Sequence, residues 1–254
     1  MKRIVTIGMI FCILTGISGC ASAPKEEAMP TEEAVVSETA VEPAVEEPAV
    51  KDKLQYMGHA SIRITTGEGK VIYIDPYVGD YESPADLILI THDHYDHNNA
   101  DLVTNRAEDC KTLTWEDALA DGKHQTFDLG YATVEAVEAG NNPNHSVTSC
   151  VGYIITLADG ISVYVSGDTS KTEQMASLTE KQIDYAFFCC DGVYNMDPQE
   201  AAACAELVGA KHNIPYHTIS QDGVYFDRSR AEQFNAPNRL ILDEGEEIEL
   251  EKTN

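Results

Sequence analysis

Three imidazoles and two carboxylates crowd into six consecutive residues, His92-Asp93-His94-Tyr95-Asp96-His97, one residue after the apolar run Leu87-Ile88-Leu89-Ile90. A run so free of polar interruption reads as a strand buried on both faces of a covered sheet. That strand therefore ends by delivering metal-competent side chains to one place. In extended backbone, residues two apart face the same side, so His92 and His94 can share one ion. A turn after His94 then sends Asp96 and His97 to a second. Neutral imidazole and carboxylate are the ligands that a borderline cation such as Zn²⁺ accepts, and an ordinary polar loop has no need to concentrate them.

Around this segment, short apolar runs alternate with turn signals. Ser61–Thr65 and Lys70–Ile74 flank Gly67-Glu68-Gly69 and read as a hairpin. Further strands are expected at Thr126–Leu129, Thr133–Val137, Val151–Leu157, Ile161–Val165, Tyr185–Phe188 and Asn213–Tyr216. Two helix starts are legible. Ser170-Lys171-Thr172-Glu173 has the form of a capping box opening a helix through Leu178. Asp197-Pro198-Gln199-Glu200 opens an alanine-rich helix that Gly209 closes. Hairpins and helix-linked strands in one domain predict an α/β sandwich with helices covering packed sheets.

The six-residue segment resembles the HxHxDH signature of the metallo-β-lactamase superfamily, and especially its branch of predicted metal-dependent hydrolases and ascorbate-phosphate-lactonase-like proteins. The resemblance runs from about Leu54 to His217. Gly58-His59-Ala60-Ser61 is similar to that branch's opening strand and Ile74-Asp75-Pro76 to its second. Gly167-Asp168-Thr169 is similar to the later aspartate motif, and Ile214-Pro215-Tyr216-His217 to the terminal histidine strand. The resemblance implies a four-layer αββα sandwich and two divalent cations, zinc with manganese as the alternative. It assigns His92, His94 and His145 to the first ion, Asp96, His97 and His217 to the second, and Asp168 to a bridge between them. His59 is placed near the mouth of the site, where it either touches substrate or supports the site. Asp75 is expected to orient a ligand by hydrogen bonding to the histidine loop.

Two pairs of histidines compete for these roles. His145 lies in the loop Asn141-Asn142-Pro143-Asn144-His145, whereas His124, in Gly122-Lys123-His124, reads as a surface residue. His212 and His217 bracket one strand and lie roughly 16 Å apart along it, so only one serves the site. The carboxyl-terminal His217 fits, and His212 reads as half-buried support.

The amino terminus predicts where the domain works. Lys2 and Arg3 precede an apolar run from Ile4 to Ile17, about the length of a signal core and short for a membrane span. It ends in Ile17-Ser18-Gly19-Cys20, which resembles the lipobox of bacterial lipoproteins and implies a lipid on Cys20 at the extracytoplasmic face of the cell membrane. Residues 21–52 hold Pro24, Pro30, Pro43, Pro48 and eight glutamates, a composition that forms a solvated tether and not a core. Residues 53–254 remain for the hydrolase domain. A net charge of −26 disfavours nucleic acid as a partner and leaves a small-molecule substrate. Beyond Cys12 in the signal and Cys20, the five cysteines show no paired CxxC units and read chiefly as small buried thiols.

Two bridged cations lower the pKa of a shared water from 15.7 toward about 7 and polarise a substrate oxygen, while Asp96 orients the water or takes its proton. The resulting expectation is hydrolysis of an ester-type bond, in a phosphodiester or a lactone. A β-lactam hydrolase fits less well, because the bridging aspartate is unusual for lactam cleavage. A glyoxalase-type thioesterase would need a helical domain, and 37 residues follow His217. The non-enzymatic alternative is an exported lipoprotein that binds metal or ligand through a single ion site.

Overall fold

A computed structural model describes residues 50–219 and 223–252. The expected signal peptide, the lipid site Cys20 and nearly all of the tether lie outside the described residues. Among the described residues, twelve strands form two six-stranded mixed sheets. The first contains β1 (Lys53–Gly58), β2 (Ser61–Thr65), β3 (Val71–Ile74), β4 (Ala85–Leu89), β5 (Arg106–Leu113) and β12 (Glu247–Glu249), in the order β12-β1-β2-β3-β4-β5. The second contains β6 (Thr126–Asp128), β7 (Ala132–Glu138), β8 (Val151–Leu157), β9 (Ser162–Val165), β10 (Tyr185–Cys189) and β11 (His212–Tyr216), in the order β11-β10-β9-β8-β7-β6.

Strand alternation explains how the layers stack. Ile72, Ile74, Leu87 and Leu89 turn inward and join Tyr153, Ile155, Val163, Val165 and Phe187 of the second sheet in one core. Their neighbours Val71, Tyr73 and Ile88 face outward into a smaller cluster with Val103. Tyr81, Ala100, Cys110 and Trp115 pack on that smaller cluster, the single-turn α1 (Trp115–Ala118) buries Ala118 in the main core, and the second sheet carries the three-turn α2 (Pro198–Val208). Another short helix, α3 (Arg228–Ala231), follows β11. The expected sandwich of two sheets with flanking helices is what the chain forms.

The helix start at Asp197 is as the pattern predicts. Its side chain accepts the backbone N–H groups of Gln199 and Glu200, Pro198 takes the first helical position, and Gly209 ends the helix in the left-handed region. The start at Ser170 is not. Residues Gln174–Lys181 form a 3₁₀ segment with no side-chain cap. Ser170 instead donates its N–H to Gly140 O at 2.7 Å, and Gln174 donates its N–H to Glu138 Oε2 at 3.2 Å. The segment is thus tied to the end of β7 before a helix can begin. His59-Ala60 is also no strand, since it forms the turn between β1 and β2.

Strand direction positions the site. Strands β3, β4 and β5 pair in parallel, as do β9, β10 and β11. Carboxyl ends of parallel strands gather at one edge of each sheet, and loops leaving that edge carry the polar side chains.

Candidate metal centre

Each functional side chain sits just past the end of a buried strand. Strand β3 is followed by Asp75, β4 by the histidine segment, β9 by Asp168, β10 by Asp191 and β11 by His217, while His145 lies on the loop after β7. Two groups of side chains converge there. His92, His94, His145 and Asp168 form one, and His59, Asp96, His97 and His217 the other, with the ligand atoms of each group within 4.8 Å of one another. The structure therefore assembles all seven residues expected as ligands and adds His59 to the second group. His124 belongs to neither group, and His212 stacks on Tyr185 with ring centroids 4.7 Å apart.

Asp168 occupies the middle. Its Oδ1 lies 3.3 Å from His97 Nε2, and its Oδ2 lies 3.4 Å from His145 Nε2, 3.5 Å from His217 Nε2 and 3.9 Å from His92 Nε2. These separations exceed those of good hydrogen bonds, which close at about 2.7–3.2 Å. They suit ligands on a shared ion: bonds of about 2.0–2.2 Å in tetrahedral geometry hold ligand atoms roughly 3.3–3.6 Å apart. His92 Nε2, His97 Nε2, His217 Nε2 and Asp168 Oδ1 are all buried with no hydrogen-bond partner. Leaving a buried polar atom unpaired costs about 1–3 kcal/mol, so such a cluster fits cations well and an empty cavity poorly.

Neighbouring groups fix which nitrogen of each ring faces the centre. Asp75 accepts the Thr91 N–H at 2.8 Å, the Thr91 hydroxyl at 2.7 Å and His97 Nδ1–H at 2.8 Å, as expected of a residue that orients the histidine loop. With its proton committed to Asp75, the Thr91 oxygen accepts His92 Nδ1–H at 3.0 Å. Asn142 Oδ1 accepts His145 Nδ1–H at 3.1 Å. Each of these rings therefore directs its Nε2 inward, the nitrogen that a ligand must offer. His94 differs, because its Nδ1 approaches His145 Nε2 at 3.1 Å.

Electrostatics divide the rings. Burial holds the His92 imidazole well below its ordinary pKa, aided by the neighbouring His97, and burial also lowers His145. Both are neutral near pH 7. Burial opposes a charge on His97, yet Asp168 and Asp75 on either side outweigh it and raise its pKa. A cation entering there must displace the Nε2 proton. Burial pushes the Asp96 and Asp168 carboxyls up, but the surrounding imidazoles win in both cases and hold them below the usual range.

The backbone is bent to reach this arrangement. His59, Asp75 and His217 have φ of 51°, 46° and 45°, three of the seven non-glycine residues with positive φ among those described. Strained backbone of this kind persists where the surroundings hold it. Gly167 meets a related need at φ 62°, since a Cβ there would lie 2.6 Å from Val151 O and 3.2 Å from Thr91 Cβ. Only glycine lets the chain pass this closely beneath the histidine loop to present Asp168.

A family profile described as a beta-lactamase superfamily domain matches residues 53–217. A UPF0173 metal-dependent hydrolase of Thermococcus kodakarensis is 31% identical over 229 residues, covering 78% of this chain and 99% of the relative. One from Geobacillus thermodenitrificans is 30% identical over 230 residues, covering 78% and 100%. The chain belongs to the UPF0173 metal-dependent hydrolase family of the beta-lactamase superfamily. A crystal structure from Parabacteroides distasonis, 27% identical, superposes with a TM-score of 0.63 over 77% of this chain and 94% of that one. Igni18, a metallo hydrolase from Ignicoccus hospitalis at 22% identity, shares the fold with a TM-score of 0.63 over 80% of this chain and 100% of its own.

Within this family member, the site opens into a cleft of about 490 Å³ lined by His59, Tyr77, Tyr95, Asn144, Tyr194 and Tyr225 beside the ligand cluster. Sequence reasoning placed His59 at the site and missed two further contributors, Asn142 and Asp191. His59 Nε2–H donates to Asp96 Oδ2 at 2.9 Å, so the residue expected at the mouth grips a member of the second group. Asn142 fixes His145, and Asp191 lies 3.7 Å from His217 Nδ1 while accepting the N–H groups of Val193 and Tyr194. Asp191 did carry a signal: like Asp75, it is a lone carboxylate following a wholly apolar strand. The adjacent cysteines before it have a simple account. Successive strand residues face opposite ways, so Cys189 Sγ reaches Thr169 O and Cys190 Sγ reaches Tyr216 O, both buried. All five cysteines of the described residues are free.

Proposed function

We propose that the protein hydrolyses an ester-type bond, in a lactone or a phosphodiester, with water activated between two divalent cations, zinc in the first instance and manganese as the alternative. His92, His94 and His145 would hold the first ion, Asp96, His97 and His217 the second, and Asp168 both. The observation that carries this reading is the set of buried, unpartnered Nε2 and Oδ1 atoms facing one another around Asp168. Two cations held there would bring the pKa of water toward about 7 and polarise the substrate oxygen.

The chain's own groups supply the rest. The side chain of Asp96 is 18% exposed, against 4% for Asp168, so of the two central carboxylates it is the one that incoming water reaches. It is placed to accept a hydrogen bond from that water and orient its oxygen. His59 holds Asp96 by donating to Oδ2, which makes it a positioning residue that also borders the substrate space. In a lactone, a bond forms from the water oxygen to the carbonyl carbon, the ring C–O bond breaks, and the proton released passes to the departing alkoxide.

Metal analysis of the protein with a panel of lactones, phosphodiesters and β-lactams tests this reading. Two ions per chain and turnover lost on chelation are expected. One ion per chain with no turnover of any ester would favour the binding-protein alternative and defeat the hydrolase.

We also propose that the domain is displayed outside the cytoplasm on a lipid-bearing Cys20, a reading supported by the order of basic residues, apolar run and Ser18-Gly19-Cys20. No helix among the described residues is long and apolar enough to cross a membrane. Cys20→Ser should move the protein from the detergent phase to the aqueous phase on Triton X-114 partition; unchanged partitioning would refute the anchor.

A further inference from the structure

The cleft over the metal cluster has an unusual lining. Of the seven large apolar or aromatic side chains that are exposed among the described residues, Tyr95, Tyr194 and Val224 border this one space. Tyr77 packs edge-on against Tyr95 and Tyr225, at 5.8 Å between centroids and 86° and 90° between planes. The rings thus form a preformed aromatic rim and need little ordering to receive a flat group. Exposed aromatic surface gathered at a cleft marks a place where something binds.

Cations are missing from the same rim. No lysine or arginine lines the cleft among the described residues. Sites that hold phosphate or carboxylate usually meet it with arginine forks or lysine. The ion cluster does not make up for this. Asp96 and Asp168 belong to the ligand groups and Asp75 and Asp191 stand behind His97 and His217, so four carboxyl groups are set against two divalent cations. The whole chain, at −26, adds a field that repels anions before they arrive.

From these three observations we infer that the cleft selects esters bearing no negative charge, with a flat apolar or aromatic group laid on its tyrosines, and discriminates against anionic esters. This rests on the hydrolase reading above and narrows its two bond types to the uncharged carboxylic ester, with lactones included and phosphodiesters set aside.

The test uses the full-length protein loaded with zinc. Three substrates are compared: a phenyl-substituted γ-lactone, the same lactone with a carboxylate on the ring, and bis(4-nitrophenyl) phosphate. The neutral lactone should exceed the carboxylate analogue in kcat/KM by about 100-fold, the effect of placing like charge in a desolvated site. A second readout is binding, by tyrosine fluorescence, of the unreactive phenyl-substituted cyclic ether. The Tyr95→Ala, Tyr194→Ala double variant should weaken it about tenfold while retaining two ions per chain. Equal or better turnover of the carboxylate analogue or the phosphodiester overturns this proposal and leaves the hydrolase reading standing. Failure to cleave any of the three with two ions bound overturns both.

Discussion

Asp168→Ala is expected, on the proposed two-cation mechanism, to remove both ions together and reduce kcat/KM by about 10³-fold or more, since several kcal/mol of transition-state stabilisation would depend on them. The reason is geometric. One oxygen of Asp168 faces His97 of the second group, and the other faces His92, His145 and His217 across both groups. Without the carboxylate, each group loses its shared anionic ligand. Elemental analysis beside circular dichroism checks the result, the latter showing that the sandwich still folds. A variant that keeps one ion at full affinity would show that Asp168 serves a single group.

The second large effect belongs to a residue that touches no ion. Asp75 is fully buried and accepts hydrogen bonds from Thr91 N–H, the Thr91 hydroxyl and His97 Nδ1–H. Asp75→Ala leaves these donors stranded and is expected to destabilise the fold by about 3–5 kcal/mol, read as a lower midpoint in chemical denaturation. Asp75→Asn separates stability from chemistry. Its amide oxygen still accepts the Thr91 N–H, but its NH₂ must face the Thr91 hydroxyl and His97. His97 then protonates on Nε2, the atom aimed at the site. Stability should recover substantially while metal affinity stays down by about 10–100-fold. If Asp75→Asn binds metal as tightly as the parent, the tautomer argument fails.

Much of this was visible in the chain before its structure. The apolar run before His92 announced a buried strand, and its ending in imidazoles announced a site, because both signals depend on local order in the sequence. The capped helix at Asp197 was legible for the same reason. Strand β5 was not, since Arg106-Ala107-Glu108-Asp109-Cys110 shows no apolar alternation and lies at the sheet edge, where pairing on one side suffices. The 3₁₀ segment at Gln174 was misread because its fate is decided by Gly140 and Glu138, far away in sequence. The same limit applies at the site. Ligands could be recognised by type, but the hydrogen bond from His59 to Asp96 depends on how loops from different strands meet, and that from His145 to Asn142 on the turn taken by the loop after β7.

The backbone contact between His217 N–H and His59 O, at 2.9 Å, joins the end of β11 to the turn between β1 and β2. It lies beside a cluster whose members come from both sheets. Ions held there would act as a clasp between the two halves of the sandwich, and neither sheet could peel away without surrendering them. Metal supply would then govern how long the protein persists as well as whether it is active. If the chain is displayed outside the cytoplasm as proposed, it would be most exposed to proteolysis in the interval between export and loading.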